Sequence, residues 1–517
     1  MKRTSISIRI ILSLLLTLTL VIPFTAVVSA DDVYDGTSVS AALSGDGSET
    51  SPYLISSGAD LAYFAANAEA GKCYKLTKNI VWSSYTAAAG TGTTNWTPVA
   101  FSGTFDGDGH YIAGLYISGT STTGTALFST AIGTIKNLTI KDSYFEGATY
   151  VAALVGALPE AAPLTIENCV NYADIVGTSK NSYIGGFMGN ANKFAEGYNF
   201  TFRRCVNYGS VTSKTSNAYA GGIVGGGNAY NFVVEECANF GNISGVTALV
   251  GGIMGQIGGS SSDKSLGTPV IRNCVNYGAV SADRVIGGIT GRVYPNAKVE
   301  NCVNYGEVTA KLSADGLAST KADQVNQWGG VVGNCPDNPA DRDTYSALGE
   351  IANCFYLNGC AKNSSVADAA SYIDTYKKLT TGKDAADMTV SGLGLSENIW
   401  TTDAANGGRL TLVYLVASAP VTPEDTTPAE TTPAETTPAE TTPVETTPVE
   451  TTPVETTPVE TTPVETTPVE TTPVETTPAD TDPAPSTGDG NVLLICAAAV
   501  MAVCALVAAV LPRKKAE

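Results

Sequence analysis

The sequence predicts an all-β protein whose main part is a parallel β-solenoid (β-helix) built from internal repeats. Two short signatures alternate along the chain, and successive copies of the first lie 36, 32, 37 and 28 residues apart. A period of this length is typical of solenoids and propellers. The first signature, Cys-Val-Asn-Tyr or Cys-Ala-Asn-Phe, starts at Cys169, Cys205, Cys237, Cys274 and Cys302, and the second, Gly-Gly-x-x-Gly, starts at Gly185, Gly221, Gly251, Gly287 and Gly329.

The residues between the signatures favour the solenoid over other repeat folds. Short β-prone runs, such as 269–280 and 297–308, are broken by Gly, Asn and Ser. They carry no apolar stripe with a period of 3.6 residues, so helical repeats do not fit. A propeller blade needs about four strands, which a repeat this short hardly holds. We therefore expect residues 161–361 to form stacked coils with equivalent residues one strand spacing apart, ~4.8 Å.

Both ends of the solenoid are expected to be capped, because a bare terminal coil exposes strand edges and core. Residues 31–160 are interpreted as an N-terminal leader with the first coils. Within them, Ser57 followed by Asp60 resembles a capping box for a helix that is stopped by Gly71 and covers the N-terminal end. Residues 362–420 are interpreted as a cap over the C-terminal end.

The chain termini predict export and anchoring. Residues 1–30 combine basic residues, a short apolar run and small residues before Ala30, which is typical of a signal peptide cleaved after Ala30. Residues 421–484 repeat Thr-Thr-Pro-(Ala/Val)-Glu and predict a disordered, extended stalk of at most roughly 200 Å. Residues 491–511 are apolar and long enough for a transmembrane helix, and basic residues follow them.

The segment before the apolar span carries a family resemblance. Pro485, Thr487 and Gly488, followed by the span and a basic tail, resemble the LPXTG-like cell-wall sorting signal of Gram-positive surface proteins. In that family, sortase cuts between Thr and Gly and joins the Thr to peptidoglycan. Ala484 replaces the usual leucine, which leaves the sortase class open. The alternative is a plain C-terminal membrane anchor.

A second resemblance covers residues 31–415. The alternation of Gly-Gly-Ile-Val-Gly with Cys-Val-Asn-Tyr-Gly is similar to the GLUG repeat of bacterial surface proteins, and residues 45–65 are similar to the leader that often precedes it. The resemblance implies a β-solenoid on a secreted or wall-bound protein. It implies no single activity.

The cysteines are interpreted as a structural ladder. Metal sites need clustered ligands, whereas the five motif cysteines are far apart in sequence and His110 is the single histidine, so we expect no metal and no cofactor. Stacked in one column, the cysteines would be small buried side chains. Cys335, Cys354 and Cys360 are expected outside this column, where a pair of them is the better candidate for a disulfide.

The asparagine and the aromatic residue of the motif are expected to stack as well. Amide side chains repeated at one corner can bond from coil to coil. The aromatic row has two interpretations: packing, or a strip on which sugar rings stack. The asparagines are Asn171, Asn207, Asn239, Asn276 and Asn304, and the aromatic residues are Tyr172, Tyr208, Phe240, Tyr277 and Tyr305, of which the four tyrosines are the candidate ligand-stacking residues.

Charge and composition argue against several classes of function. The net charge is −20, of which residues 31–420 carry −10, so nucleic acid is not an expected partner. The Asp-Gly-Asp-Gly run from Asp106 is expected to be a turn, because the calcium-loop template would require an acid where Ile117 stands. No catalytic motif is recognised, and the protein is not expected to be an enzyme.

These observations lead to one functional expectation with two alternatives. We expect a secreted protein, covalently anchored to the Gram-positive cell wall, that displays its solenoid for adhesion or for binding a host or environmental glycan or protein. The alternatives are a polysaccharide lyase or hydrolase on the same fold, which would bring carboxylates together in one groove, and a structural spacer without a ligand.

Overall fold

The structure is a computed structural model of the 517-residue chain. It describes residues 33–85, 92–120, 124–158, 163–191, 199–227, 231–246, 249–258, 267–283, 285–294, 297–311, 327–335, 349–363 and 379–417. The predicted signal peptide, stalk, sorting signal and transmembrane helix lie outside these ranges. Within them, no helix has the length and apolar character that crossing a bilayer requires.

Short strands dominate the described residues. The leader contains β1 (Tyr53–Ile55), α1 (Gly58–Asn67), β2 (Lys72–Leu76), β3 (Ile80–Val81), β4 (Val99–Asp106), β5 (Tyr111–Ala113), β6 (Tyr116–Ser118), β7 (Phe128–Lys136), β8 (Thr139–Lys141), β9 (Tyr144–Gly147), β10 (Tyr150–Ala152) and β11 (Val155–Ala157). The next two coils contain β12 (Leu164–Glu167), β13 (Val170–Asn171), β14 (Asp174–Gly177), β15 (Tyr183–Gly185), β16 (Met188–Ala191), β17 (Asn199–Arg203), β18 (Val206–Asn207), β19 (Val211–Ser213), β20 (Tyr219–Gly221) and β21 (Val224–Gly227).

The remaining coils repeat this order. They contain β22 (Asn231–Glu235), β23 (Ala238–Asn239), β24 (Ile243–Gly245), β25 (Leu249–Gly251), β26 (Met254–Ile257), β27 (Val270–Arg272), β28 (Val275–Asn276), β29 (Val280–Ala282), β30 (Val285–Gly287), β31 (Thr290–Val293), β32 (Lys298–Glu300), β33 (Val303–Asn304), β34 (Val308–Ala310), β35 (Trp328–Gly329), β36 (Val332–Asn334), β37 (Glu350–Ala352), β38 (Phe355–Leu357) and β39 (Ala361–Asn363). The C-terminal segment contains β40 (Thr381–Lys383), a 3-10 helix (Ala385–Asp387), β41 (Trp400–Asp403), β42 (Arg409–Leu412) and α2 (Val413–Ala417).

Strands of successive coils pair in parallel and in register, which confirms the prediction of an all-β parallel β-solenoid. Among the described residues, the pairs form parallel sheets of 16, 6, 10 and 8 strands, and β41 pairs with β42 antiparallel. The sixteen-stranded sheet branches at β7: the first half of β7 pairs with β11 and its second half with β12. Later coils therefore carry two short strands where β4 and β7 are single long strands.

Alternation along the strands explains the core. In β17, Phe200 and Phe202 point inward and are fully buried, whereas Asn199 and Arg203 are exposed. Phe202 lies 5.7 Å from Phe232 of the next coil, measured between ring centroids. Burying such a side chain stabilises the fold by about 1.5–3 kcal/mol. Because each coil buries its inner face only against its neighbours, stability depends on stacking.

Helix α1 covers the N-terminal end of this core. Ser57 is its N-cap, and the Ser57 hydroxyl accepts a hydrogen bond from Asp60 N at 3.2 Å. A complete capping box would require the carboxylate of Asp60 to accept a hydrogen bond from Ser57 N. It accepts one from Ser56 N instead. Phe64 packs edge-on against the aromatic core, 6.3 Å from Phe128 between centroids with an interplanar angle of 87°.

The C-terminal segment lies elsewhere than expected. Strand β40 does pair with β38 and so extends the ten-stranded sheet at the C-terminal end. The chain then leaves that end, and β41, β42 and α2 pack along the side of the solenoid, over the outer face of the ten-stranded sheet. Trp400, Leu410 and Leu412 are buried there against Val206, Ala238, Val275 and Val303. The expectation of a simple end cap is corrected, because this outer face is apolar and needs a cover.

Candidate functional site

The motif cysteines form one buried column. All five side chains are fully buried in the core. Cys237 Sγ donates to Glu235 O at 3.3 Å and lies 3.6 Å from Phe202 O of the preceding coil, and the other four repeat this arrangement. Burial raises the pKa of the Cys169, Cys205 and Cys237 thiols, which keeps them protonated. The column therefore fills core space and has no exposed thiolate.

The expectation for the remaining cysteines is corrected. Cys354 is a sixth member of the column, because its Sγ donates to Ala352 O at 3.2 Å and to Val299 O of the preceding coil at 3.4 Å. Cys335, Cys354 and Cys360 are all buried, and no pair of them forms a disulfide in this structure. Cys360 Sγ instead accepts a hydrogen bond from Asn304 Nδ2 at 3.4 Å.

The motif asparagines form a continuous amide ladder. Asn207 Nδ2 donates to Asn239 Oδ1 at 2.7 Å, and Asn239 Nδ2 donates to Asn276 Oδ1 at 2.7 Å. Asn239 Nδ2 also donates to Gly241 O at 2.9 Å, which closes the local turn. The same bonds recur from Asn171 to Asn304, and all five side chains are fully buried. Each amide thus satisfies its neighbour where water cannot reach.

A second asparagine column occupies the position before the cysteine. The backbone there is left-handed in every coil, with φ of 53° at both Asn273 and Asn301. Asparagine tolerates this conformation better than most residues. Two coils have another residue type at this position but the same backbone conformation. Arg204 and Glu236 hold φ of 53° and 52°, and their side chains form an ion pair at 2.8 Å. This column was not predicted, although the Asn before three of the motif cysteines was a signal for it.

The aromatic row stacks ring on ring. Tyr172 and Tyr208 lie 4.8 Å apart with an interplanar angle of 5°, and Phe240, Tyr277 and Tyr305 continue the row with angles of 8° to 16°. The ring faces are therefore turned toward one another along the solenoid. A sugar needs an open ring face to stack on, and within the row only the two end residues, Tyr172 and Tyr305, have a ring face without an aromatic neighbour.

The C-terminal segment covers the other end of the aromatic row. Tyr277 Oη donates to Leu410 O, and Leu410 N donates to Tyr305 Oη at 3.0 Å. Tyr305 is 7% exposed, whereas Tyr172 at the opposite end is 41% exposed. The interpretation of Tyr277 and Tyr305 as ligand-stacking residues is corrected, because their hydroxyl groups hold strand β42.

Three carboxylates of the repeats, Glu167, Glu235 and Glu300, lie in a charged column that alternates in sign. On the outer face of the sixteen-stranded sheet, each acidic residue is in register with a basic residue of the neighbouring coil. Arg203 contacts Glu167 at 2.5 Å, and Arg272 contacts Glu235 at 2.6 Å. The column runs through Lys75, Asp106, Lys136, Glu167, Arg203, Glu235, Arg272 and Glu300. The sequence did not reveal it, because the register across loops of unequal length was unknown.

A second tyrosine row was also missed. Tyr150, Tyr183 and Tyr219 are in register on the six-stranded sheet, and the rings of Tyr183 and Tyr219 stack at 4.4 Å. All three are half-buried. Their fixed position shortly before the Gly-Gly-x-x-Gly signature was a usable signal. Beside them, on the sixteen-stranded sheet, runs a column of polar residues, Asn190, Gln256, Arg292 and Asn334, interrupted by Gly226.

The Asp-Gly-Asp-Gly segment is a turn between β4 and β5. His110 N donates to Gly107 O at 2.8 Å, and Asp108 is left-handed with φ of 50°. His110 Nδ1 lies 3.3 Å from Asn79 Oδ1. In the part of the chain that the structure describes, no three His, Cys, Asp or Glu side chains are placed to hold a metal ion.

Comparison with known proteins gives one local similarity in sequence. No protein-family model matches the chain. Halomucin from Haloquadratum walsbyi is 32% identical over 164 residues, which is 30% of this chain and 2% of halomucin. The chain thus spans a very small part of the curated relative that it matches.

Comparison with solved structures gives a similarity of low score. A Bacteroides ovatus protein, provisionally assigned as an immunoglobulin A1 protease, aligns with a TM-score of 0.44 and 18% identity. The alignment covers 72% of this chain and 94% of the other. In sequence and in structure, the chain is similar to these two proteins over the stated parts.

Proposed function

We propose that this chain is a cell-surface protein that displays its β-solenoid for adhesion, through binding of a glycan or a protein. After secretion, sortase joins Thr487 to peptidoglycan, and the Thr/Pro/Glu stalk carries the folded residues outward. The local similarity to halomucin supports an extracellular location, and the sorting-signal resemblance supports the covalent anchor.

One observation carries the choice of a binding role. The described coils repeat the same residue types at the same positions, so their side chains form rows along the solenoid. In the charged column, Arg203 separates Glu167 from Glu235. A glycosidase needs two carboxylates at a defined distance across one sugar. Continuous rows suit contact with an extended ligand at many points.

The anchor is tested by expressing the full chain in a Gram-positive host and fractionating the cells. We expect the protein to be released from the wall only by a muramidase. The Thr487→Ala variant should stay in the membrane fraction and be extracted by detergent. Equal wall attachment of both forms would contradict the sortase step.

The binding role is tested with cells that display the full chain and with cells that carry the empty vector. Both are applied to an array of glycans and extracellular proteins. We expect retention of the displaying cells on a defined subset of spots. Equal retention of both on every spot would overturn the adhesion proposal and favour the structural spacer.

A further inference from the structure

The polar column of the sixteen-stranded sheet points outward. Its residues alternate with core residues: Ile257 and Val293 directly follow Gln256 and Arg292 and are buried in the core. On the outer face, an ideal Cβ on Gly226 would lie 3.0 Å from the ring of Tyr183. Arg292 is half-buried, and so are Asn190 and Asn334. The column and the second tyrosine row therefore share one surface, which we call the polar-aromatic face; it consists of Tyr183, Tyr219, Gly226, Gln256, Arg292 and Tyr294.

Arg292 differs from the other described arginines of the repeats. Arg203, Arg204 and Arg272 each pair with a glutamate of a neighbouring coil. In the register, Arg292 lies between Gln256 and Asn334, which are both neutral. Among the described residues it has no carboxylate partner.

The guanidinium of Arg292 is only partly satisfied. Its Nη1 donates to Tyr294 Oη at 3.3 Å, and its Nε is buried without a hydrogen-bond partner within the described ranges. The edge formed by Nε and the second Nη is the edge that binds a carboxylate with two parallel hydrogen bonds. Within the described ranges, Arg292 is thus a cation with neither a carboxylate partner nor an acceptor for its Nε.

Gln256 gives a second, independent indication. Its side chain is 9% exposed, and its Nε2 donates to Gly258 O at 3.4 Å. Its Oε1 is buried and has no partner in the part of the chain that the structure describes. Buried amide oxygens normally accept a hydrogen bond. A ligand hydroxyl would supply the missing donor.

Tyr183 and Tyr219 give the face its apolar component. Their rings stack at 4.4 Å, and tyrosine combines an apolar body with a hydroxyl group. Gly226 interrupts the polar column between Asn190 and Gln256, and the ring of Tyr183 lies beside it. Tyrosines, a side-chain amide and a guanidinium with an unsatisfied Nε together are typical of sites that orient a polar ligand by a few directed bonds.

We infer that the polar-aromatic face binds an acidic polysaccharide, with a uronate carboxylate on Arg292 and a sugar hydroxyl on Gln256. The inference rests on the proposed function and names its ligand class and site. Sugar units of an extended chain repeat over a distance close to one strand spacing, ~4.8 Å. Successive units can therefore meet successive coils.

The test measures binding of the wall-released full chain to polygalacturonate. The comparison ligand is the same polymer with its carboxylates methyl-esterified, and the comparison protein is Arg272→Gln, which removes an arginine from the charged column. We expect the wild type to bind polygalacturonate and to lose tenfold or more on esterification. Arg292→Gln should lose about tenfold or more, and Arg272→Gln less than twofold.

A second variant blocks the proposed site in a different way, and a folding check accompanies both variants. Gln256→Glu places a carboxylate in register with Arg292, so the two should pair and exclude the ligand, with a loss of affinity similar to that of Arg292→Gln. Circular dichroism checks that each variant is folded. Unchanged affinity in Gln256→Glu and Arg292→Gln, or an equal loss in Arg272→Gln, would overturn the inference.

Failure of this inference differs from failure of the proposed function. If the displayed protein adheres to other glycans or proteins but not to polygalacturonate, the acidic-polysaccharide site is wrong and the adhesion role stands. If the displayed protein adheres to nothing on the array, both are wrong.

Discussion

Asn207 and Gly186 meet across the interior of the solenoid. An ideal Cβ built on Gly186 would lie 2.8 Å from Asn207 Oδ1, and the second glycine of the next three signatures stands against the next three ladder asparagines in the same way. A real Cβ essentially never approaches an atom so closely. The two signatures of the sequence therefore alternate because they contact each other in the folded chain. The asparagine amide of the first signature occupies the space that the glycine of the second leaves free.

We predict that Gly222→Ala destabilises the protein strongly. The new methyl group would collide with Asn239 Oδ1 and with Gly252 O. Asn239 Oδ1 accepts the ladder bond from Asn207, and Gly252 O accepts a backbone bond from Gly222 N, so neither can move without losing a hydrogen bond. We expect a loss of about 2 kcal/mol or more in the free energy of unfolding. Urea denaturation measures it. Gly119→Ala, where no atom lies within 4 Å of the added Cβ, is the matched control and should change stability little.

The amide ladder gives a second prediction. Asn239→Ala leaves Asn276 Oδ1 and Gly241 O without the donor that they share. We expect a loss of about 3 kcal/mol, since each unsatisfied buried group costs about 1–3 kcal/mol. The control is Asn242→Ala, because Asn242 is exposed and accepts one bond, from Ala279 N. Similar unfolding midpoints for the two variants would show that the ladder contributes little.

The left-handed column gives a third prediction, in which two substitutions of one residue differ in the size of their effect on stability. Asn273 holds φ of 53°. Asn273→Ala should destabilise by about 1 kcal/mol, because a Cβ without a local hydrogen bond disfavours this backbone. Asn273→Gly should be close to neutral, since glycine adopts the conformation freely. Thermal unfolding of both variants measures the difference, and equal melting temperatures would contradict the backbone argument.

The hold of the aromatic row on the C-terminal segment gives a fourth prediction. Tyr277→Phe removes the hydrogen bond to Leu410 O and keeps the stacked ring. We expect residues 400–412 to exchange backbone amide protons about fivefold faster, as the loss of one hydrogen bond of about 1 kcal/mol implies. Tyr208→Phe is the control, because Phe240 already stands in the same row. Faster exchange in both variants would point to the ring rather than to the hydroxyl.

Thiol labelling gives a fifth prediction. Of the cysteines that the structure describes, Cys73 is half-buried and the other eight are buried. Burial raises the pKa of the Cys169, Cys205 and Cys237 thiols, so alkaline pH below 9 should not activate them in the folded protein. We expect a maleimide at pH 8 to label Cys73 alone among these nine, and all nine in urea. Fast labelling of Cys237 in the folded state would contradict the buried column.

Alkaline pH should weaken the protein through its stacked tyrosines. Burial raises the pKa of Tyr208 to about 12, above the ordinary value of 10.0. The unfolded chain therefore loses this proton first, and the stabilising effect is fully present below pH 10 and lost as the pH rises toward 12. Unfolding midpoints measured between pH 9 and 12 should fall less steeply in Tyr208→Phe than in the wild type.

The repeats were predictable because their signal is local. Cys237 and Asn239 recur in a fixed motif, and a fixed motif at a solenoid period implies columns. Cys354 escaped because Phe355 and Tyr356 replace the Val and Asn that marked the motif. The column at this position requires only a small buried side chain, and the sequence around Cys354 still supplies one.

The columns outside the motif depend on register, which the sequence does not contain. Arg272 pairs with Glu235, which lies 37 residues earlier in the chain. The spacing between successive repeats varies, so the sequence does not show which residues come into register. The contact of Leu410 with Tyr277 spans 133 residues and belongs to no repeat. Only the folded chain shows that the outer face of the ten-stranded sheet is apolar over several coils and that β42 covers it.

The side-on position of the C-terminal segment determines where tension enters the molecule. If the chain is held at its C-terminus, as proposed, a pull transmitted through Ala417 reaches α2 and β42 before it reaches any coil. The contacts with the coils that then carry load are that of Tyr414 with Arg204 and the bonds of Leu410 with Tyr277 and Tyr305. Detachment of β42 would relieve the strain and leave the stacked coils whole. Under shear, the C-terminal segment would thus detach first and protect the solenoid from unfolding.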